Sequence, residues 1–379
     1  MVNARALIKT IFVGSSRKAG EYIYGGCHDF LYFKKGDYRI CIDKSPHPFW
    51  STYSTDPPLR YALNSNSADL KHCFNRIPRN LNSPYILDFE HILHLSNYSR
   101  DYVKMVDAVP LINEAINNEN CKALIGPTFG THAFGRPFIM NTDMFTKKYN
   151  KVLPAIHVRP GKSFACECDR PFTILNIGNK FWGKGTHIAL EIFGRLRKKI
   201  GSSIKMILVC GDVPTAYPLG DGVELIPTCK LTDQRKDALF NTADVFLFPC
   251  LHDSFGVYME CLAYGLPVVS TNIYDKSEVV IDGQTGFLFD TPIQLYGRGF
   301  ATEWKNWPAF EAAAKEYFVG GCFEPLIQEM SEAIIRLIND PSLLQELSHN
   351  SQEFCIKNMS IAVKNEKVRS IYAKALAGN

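Results

Sequence analysis

What the chain lacks narrows it first. None of the apolar runs in its 379 residues approaches the roughly 18 that a membrane-crossing helix needs, so no spanning segment is expected. The apolar stretch at residues 6–13 does not read as a signal peptide. Lys9 interrupts it and Ser15, Ser16, Arg17 and Lys18 follow, the pattern of a buried strand running into a polar loop. Among the 12 cysteines no Cys-x-x-Cys occurs, and the single close pair is Cys166 and Cys168. Zinc-ribbon spacing is therefore absent, and a chain of this length needs no disulfide staples. Most cysteines read as reduced core residues of a cytoplasmic protein. Internal repeats and low-complexity tracts are also missing.

What is present suits two folded domains. The length is two to three times that of a common domain, and 46% hydrophobic with 21% charged residues excludes wholesale disorder. The formal charge of +4 conceals an asymmetry. Residues 1–157 carry 19 basic against 13 acidic side chains, and the remainder 23 against 25. With no RNA-binding motif beside it, the excess reads as a solvated face; weak attraction to anionic lipid or to an anionic acceptor fits the same charge, and nucleic acid is not an expected partner.

Beyond about residue 172, short β-branched runs alternate with helical patterns, the mark of a parallel sheet built from βαβ units. Strands are expected at 173–177, 205–209, 223–226, 245–248, 267–270 and 286–289, with a helix at 184–199. In the first half, strands are expected at 7–13, 38–42, 85–88, 123–125 and 152–156, and residues 46–82 form an excursion or a flap. The Pro- and Gly-punctuated stretch 159–171 reads as a linker. The expected domains are therefore 1–160 and 161–352, the second with an aromatic, Gly-rich insertion at 291–322. A closing helix within 353–379 is placed to cross back to the first.

The most informative segment runs Phe-Leu-Phe-Pro-Cys-Leu from Phe246, then His252, Asp253, Ser254, Phe255, Gly256, Val257, Tyr258, Met259 and Glu260. It continues Cys-Leu-Ala-Tyr-Gly265-Leu-Pro267-Val-Val. It reads as strand, polar loop, short helix and strand. Asp253 or Ser254 can cap the helix, Gly265 can end it with positive φ, and Pro267 bars its continuation. A routine βαβ turn reads the same way, yet loops at the carboxyl ends of parallel strands are where doubly wound domains bind ligands. The amides of residues 255–257 would suit a phosphate or a sugar hydroxyl, and Asp253 and Glu260 could accept from hydroxyls.

With these residues in view, the chain resembles the retaining nucleotide-sugar glycosyltransferases of the GT-B fold, the group one or family four transferases. Their signature is an acid, x-Phe-Gly, and a second Glu eight positions after the first, leading into a small-residue helix, Gly and x-Pro-Val-Val. Here it is matched by Asp253-Ser-Phe-Gly, Glu260 and the run to Val269. The acidic spacing is seven, so His252 stands beside Asp253 as a candidate for the first position. Downstream, Glu278-Val-Val-Ile-Asp282-Gly283-Gln-Thr-Gly286-Phe-Leu resembles the family's Glu-x4-Gly-x-x-Gly-x-Leu ending. Upstream, Gly178-Asn179-Lys180-Phe-Trp-Gly-Lys184-Gly185 resembles its Gly-Arg-loop-Lys-Gly phosphate turn, with Asn179 in place of the Arg and Lys180 next to it.

The resemblance implies two doubly wound, Rossmann-like α/β domains facing across a cleft, and an enzyme moving a sugar from a nucleoside diphosphate sugar to a hydroxyl with retention of configuration. Lys184, helped by Lys180, would neutralise the donor diphosphate; a cation at a helix start is otherwise poorly placed, which favours an anionic ligand. Glu260 would accept the ribose hydroxyls, against the plainer reading of a helix-surface Glu paired by Lys276. Asp253 would face the sugar ring. Gly178, Phe255, Gly256 and Val257 would line the phosphates, and Gly14, in the loop after the first strand, would admit backbone close to a ligand.

In the stretch Tyr85-Ile-Leu-Asp88-Phe-Glu90-His91, the resemblance implies a histidine that reaches the donor sugar, His91 first and His94 second. The loop 126–132 could line the acceptor side. The expected partners are the donor and a glycan, glycolipid or lipid-linked acceptor, with peripheral membrane contact left open. No cofactor is implied beyond the donor substrate.

Rival classes lack their signatures. A dehydrogenase needs Gly-x-Gly-x-x-Gly after a strand, a P-loop enzyme needs Gly-x4-Gly-Lys-Ser/Thr, and metal-dependent transferases of the other common fold usually show Asp-x-Asp; none is present. No metal is implied. A catalytically silent relative that binds nucleotide sugar or a partner stays open, as does a nucleotide-sugar epimerase.

Overall fold

Runs such as Ile-Leu-Val and Phe-Leu-Phe become strands because side chains on both faces of a parallel sheet are buried under helices. The computed structural model describes residues 10–14, 17–19, 22–24, 39–43, 61–62, 69–78, 80–95, 108–159, 170–252, 255–295 and 307–377. Asp253, Cys166, Cys168, most of the expected linker and residues 296–306 of the expected insertion lie outside them. The chain divides into two units, Met1–Ala155 with Asn358–Asn379, and Ile156–Lys357.

The first unit holds a six-stranded sheet of β1 (Thr10–Gly14), β2 (Arg39–Asp43), β3 (Leu70–Phe74), β4 (Tyr85–Asp88), β5 (Cys121–Gly126) and β6 (Tyr149–Lys151). Every pairing is parallel and the order is β6-β5-β4-β3-β1-β2. The helices α1 (Val109–Asn117), α2 (Phe129–Gly135) and α3 (Thr142–Lys148) connect its later strands.

Three sequence expectations change here. Leu70–Phe74, inside the supposed excursion, is a central strand; its Lys71 and His72 are buried because each meets a polar partner. Gly14 closes β1 and does not lie beyond it; it is in register with Asp43 and Cys73. The apolar stretch 152–156 adds no strand to this sheet; of it, the Val152 amide reaches β5, donating to Gly126 O at 2.9 Å. Pro154, which lacks an N–H, interrupts the stretch; only Ala155–Ile156 is extended, and the edge is taken by Tyr149–Lys151.

The second unit holds β7 (Phe172–Ile177), β8 (Ile204–Val209), β9 (Val223–Ile226), β10 (Val245–Phe248), β11 (Val268–Thr271) and β12 (Gly286–Phe289). They pair in parallel in the order β9-β8-β7-β10-β11-β12. Numbered within the unit this is 3-2-1-4-5-6, the doubly wound order whose switch point lies between β7 and β10. At the amino edge, buried Asp244 clamps those two strands: it accepts from Arg170 at 2.6 and 2.7 Å and from the Thr173 amide at 2.7 Å.

The helices are α4 (Thr186–Ile200), α5 (Asp233–Thr242), α6 (Gly256–Ala263), α7 (Trp307–Val319), α8 (Glu324–Asn339) and α9 (Pro341–Met359). On α4, Ile188, Ile192, Phe193 and Leu196 make the buried stripe that packs with α8 over the sheet, while Arg197, Lys198 and Lys199 sit in its last turn, where the helix dipole favours cations.

The chain then returns to the first unit as α10 (Ile361–Ala377). Val368, Ile371, Tyr372 and Ala375 pack there with Leu70, Ile86, Ala123 and Ile125. The Tyr372 hydroxyl is 2.7 Å from His72 Nδ1, and the other ring nitrogen is 3.0 Å from Asp88 Oδ2. Cys73, Cys121, Cys210, Cys250, Cys261 and Cys355 are buried. Burial pushes the thiols of Cys121, Cys210 and Cys355 up to about 12, which keeps them protonated and unreactive.

Candidate functional site

The switch point is closed by two loops that grip each other. After β7 the chain makes a tight turn in which the Lys184 amide donates to Lys180 O at 2.7 Å and the Thr186 amide to Phe181 O at 3.0 Å. Gly185 ends the turn at φ +68°, and a Cβ there would stand 1.9 Å from Pro249 O, in the loop after β10. Only glycine fits. The Leu251 amide donates to Gly183 O at 3.1 Å, fastening the second loop to the first.

Several expected residues meet along this carboxyl edge. Gly178 lies under Lys184: a Cβ on it would approach Lys184 Cβ at 3.2 Å and the Phe248 ring at 3.0 Å. The Lys184 ammonium is 5.8 Å from the centre of the Phe248 ring, at the end of β10. Beyond that loop α6 begins at Gly256, with Phe255 as its N-cap. Phenylalanine offers no side-chain acceptor to the first amides, among them those of Gly256 and Val257, which helix geometry leaves without intrahelical partners. His252 sits edge-on to Trp307, ring centres 4.6 Å apart.

Glu260 departs from the plain surface reading. It is buried, and Lys236 Nζ of α5 stands 2.7 Å from its Oε1, the two side chains 11% and 9% exposed. Lys276, the partner considered from sequence, is itself buried and donates to Cys250 O and to Thr271 Oγ1, both at 3.0 Å, bracing the loop after β10.

The two residues after Gly178 serve the loops. Asn179 Oδ1 accepts from the Gly211 amide at 2.9 Å and from Thr228 Oγ1 at 2.6 Å, joining the loops after β7, β8 and β9. Lys180, at φ +75°, donates its amide to both oxygens of Asp212, at 2.9 and 2.7 Å. Its ammonium acts on Glu311 of α7. Burial raises that carboxyl above its usual range, while Lys180, the Trp307 indole and the Gly183 amide pull it down. The cation set beside Lys184 by sequence thus already has an acidic neighbour.

Sequence reasoning missed Lys236, Asp212, Trp307 and Glu311. Lys236 had a signal: with Leu239 and Phe240 it falls at i, i+3 and i+4, so it shares the buried stripe of α5 and needs a partner. The other three come together only through the fold.

Gly14 and His91 belong to the first unit. His91 is buried just past β4, its ring 5.2 Å from that of His94, and His94 Nδ1 is 3.7 Å from Glu90. Glu90 is held by Asn75, at φ +50°, through two hydrogen bonds of 3.1 Å, and its carbonyl accepts from Thr131 Oγ1 at the same distance.

Residues 167–301, which contain both gripping loops, α6 and the Glu278 segment, match the family described as Glycosyl transferases group 1. The matched domain belongs to that family. Over 208 residues, 53% of this chain and 46% of the relative, it is 26% identical to the capsular polysaccharide biosynthesis glycosyltransferase CapM of Staphylococcus aureus. Over 129 residues, 31% and 32% of the two chains, it is 46% identical to D-inositol 3-phosphate glycosyltransferase of Paenarthrobacter aurescens. The chain spans less than half the length of these curated relatives.

Two solved structures share the fold across nearly the whole chain. HepE of Anabaena, crystallised with UDP and glucose, aligns with a TM-score of 0.57 at 13% identity, covering 97% of this chain and 99% of that one. Sucrose-phosphate synthase of Thermosynechococcus elongatus aligns at 0.60 and 14%, covering 98% and 100%. The group 1 domain and its companion unit thus have the GT-B fold, two Rossmann-like units with parallel sheets.

Proposed function

We propose that this chain transfers a sugar from a nucleoside diphosphate sugar to a hydroxyl acceptor with retention of configuration. The observation that supports this reading best is the mutual grip of the loops after β7 and β10. It sets the Lys184 ammonium and the N-terminus of α6 on one edge of the sheet, with Glu260 one turn further along that helix. A GT-B relative bound to UDP and glucose makes uridine donors the first to screen.

As the bond between the anomeric carbon and the diphosphate oxygen breaks, negative charge gathers on the leaving phosphate. Lys184 and the first amides of α6 would hold it. The acceptor oxygen bonds to the same face of the sugar, and its proton passes to a leaving phosphate oxygen. Glu260 would receive the ribose hydroxyls. By resemblance, Asp253 or His252, with His91, would attend the sugar ring, and Gly14 would admit backbone close to the ligand.

The test is a donor and acceptor screen in which the anomeric configuration of the product is read by NMR. Retention is expected, and clean inversion would overturn the mechanism.

A second reading, a silent relative, draws on two observations: Asn179 is committed to the loops where the family has an Arg, and Glu260 already meets Lys236. Tight nucleotide-sugar binding with neither transfer nor hydrolysis would decide for it. An isomerised donor in the same screen would indicate an epimerase.

A further inference from the structure

The open edge of the first unit's sheet concentrates cations that the proposed transfer reaction does not use. β6 is the last strand of that sheet, and two contiguous grooves of about 700 and 690 Å³ run beside it. Lys122, Lys147, Lys148 and Lys374 line the first; Lys151, Lys367 and again Lys374 line the second. The acids there are Glu119, Asp143 and Glu366, half as many as the lysines.

Lys148 has a structural task, donating to Ile116 O and Asn118 O at the carboxyl end of α1. Among the described residues, no ion pair joins Lys122, Lys147, Lys367 or Lys374 to a carboxylate. The lysines oppose one another instead: Lys151 lowers the pKa of Lys367, and Lys122 that of Lys148, each adding to a larger effect of burial.

Lysines guard open sheet edges against pairing, and that accounts for Lys151 on β6. It does not account for Lys147 on α3 or for Lys367 and Lys374 on α10. Two exposed apolar side chains stand at the same place. Phe129 is 63% exposed with Lys151 Nζ 4.7 Å from its ring centre, and Met140, 85% exposed, precedes the groove residue Asn141.

We propose that this face is a docking surface for a bilayer rich in anionic lipid. A dissolved polyanion would match the lysines but leave Phe129 and Met140 facing water. A membrane uses both, because phosphate headgroups draw the flexible ammonium groups while the apolar side chains enter the headgroup boundary. Lysine in place of arginine suits a diffuse field of many headgroups better than a bidentate clamp on one. Among the described residues no helix is long and apolar enough to cross a membrane, so contact through this face would be peripheral. The inference is independent of the donor site in the second unit.

The experiment is co-sedimentation of the full chain with vesicles of phosphatidylcholine, with and without phosphatidylglycerol, at low and high salt. The chain pellets with the anionic vesicles at low salt and is released as salt screens the headgroups. Replacing Lys122, Lys147, Lys367 and Lys374 together by Gln lowers the partition at least about tenfold. The matching fourfold change to Arg retains binding and shows that charge is what matters. Phe129→Ser weakens binding without flattening its salt dependence.

Three results overturn the proposal: no pelleting of the native chain with anionic vesicles, undiminished binding by the Gln variant, or capture of soluble polyphosphate with indifference to vesicles. Unfolding midpoints of all variants separate lost binding from lost folding.

Discussion

Lys236 and Glu260 meet at 2.7 Å with both side chains nearly shut off from water, the lysine from α5 and the carboxylate from α6. Removing one partner of such a pair strands the other. Lys236→Met lowers the free energy of unfolding by about 3–5 kcal/mol, and Lys236→Met combined with Glu260→Leu recovers most of it. Urea denaturation of the two variants checks both numbers.

Gly185→Ala is the most damaging single change predicted at the turn after β7. The backbone sits at φ +68° and the new Cβ would meet Pro249 O. A loss of more than about 1 kcal/mol follows from the conformation alone, and the loop after β10 must also shift. Isothermal titration with UDP is expected to show weakened binding for Gly185→Ala, while Gly194→Ala, with open space around its position, binds as the native chain does.

Lys184→Ala is expected to lower kcat/KM for the donor at least about tenfold, roughly 1.4 kcal/mol of transition-state stabilisation. Lys184→Arg keeps the charge and should recover part of it. Steady-state kinetics with the donor found by screening measures both, and native-like rates for the alanine variant would remove Lys184 from the site.

His187 makes the second unit acid-sensitive. Its ring lies among Trp182, Phe318 and Phe323, and burial lowers its pKa from 6.5 to about 3. The unfolded chain protonates this group below pH 6.5 while the folded chain does not. Its stability is therefore intact above that pH and declines as pH falls toward about 3, with a limiting slope near 1.4 kcal/mol per pH unit. His187→Leu should flatten that part of the profile, as urea unfolding at about pH 7 and pH 5 can show.

Tyr372→Phe removes the hydrogen bond to His72 while keeping the ring in the core. The expected cost is about 1 kcal/mol, seen as a shift in the unfolding of the first unit. Hydrogen exchange at the amides of β3 reports it locally.

How much of this was legible depended on where each residue's partner lies. The strands of the second unit declare themselves, since Val-Phe-Leu-Phe at Val245–Phe248 is buried on both faces and bounded by a proline. The turn after β7 and the start of α6 were also readable as local structure, because a glycine at positive φ and a helix boundary are set by short-range geometry. Leu70–Phe74 was not. Lys71 and His72 look like loop residues until Asn80, Asp88 and Tyr372 are brought to them, the last from 300 positions away. The same holds for Glu311, which Lys180 influences only once α7 is packed, and for the basic grooves, whose lysines come from β5, α3, β6 and α10.

The return of α10 has a consequence for biogenesis. Leu70, Ile86 and Ala123 emerge from the ribosome early, but the side chains that cover them, Val368, Ile371 and Tyr372, are made only after all of Ile156–Lys357. During synthesis the second unit is free to fold first, while the nascent N-terminal sheet waits with an uncovered apolar face, the period in which chaperone capture or aggregation competes most strongly.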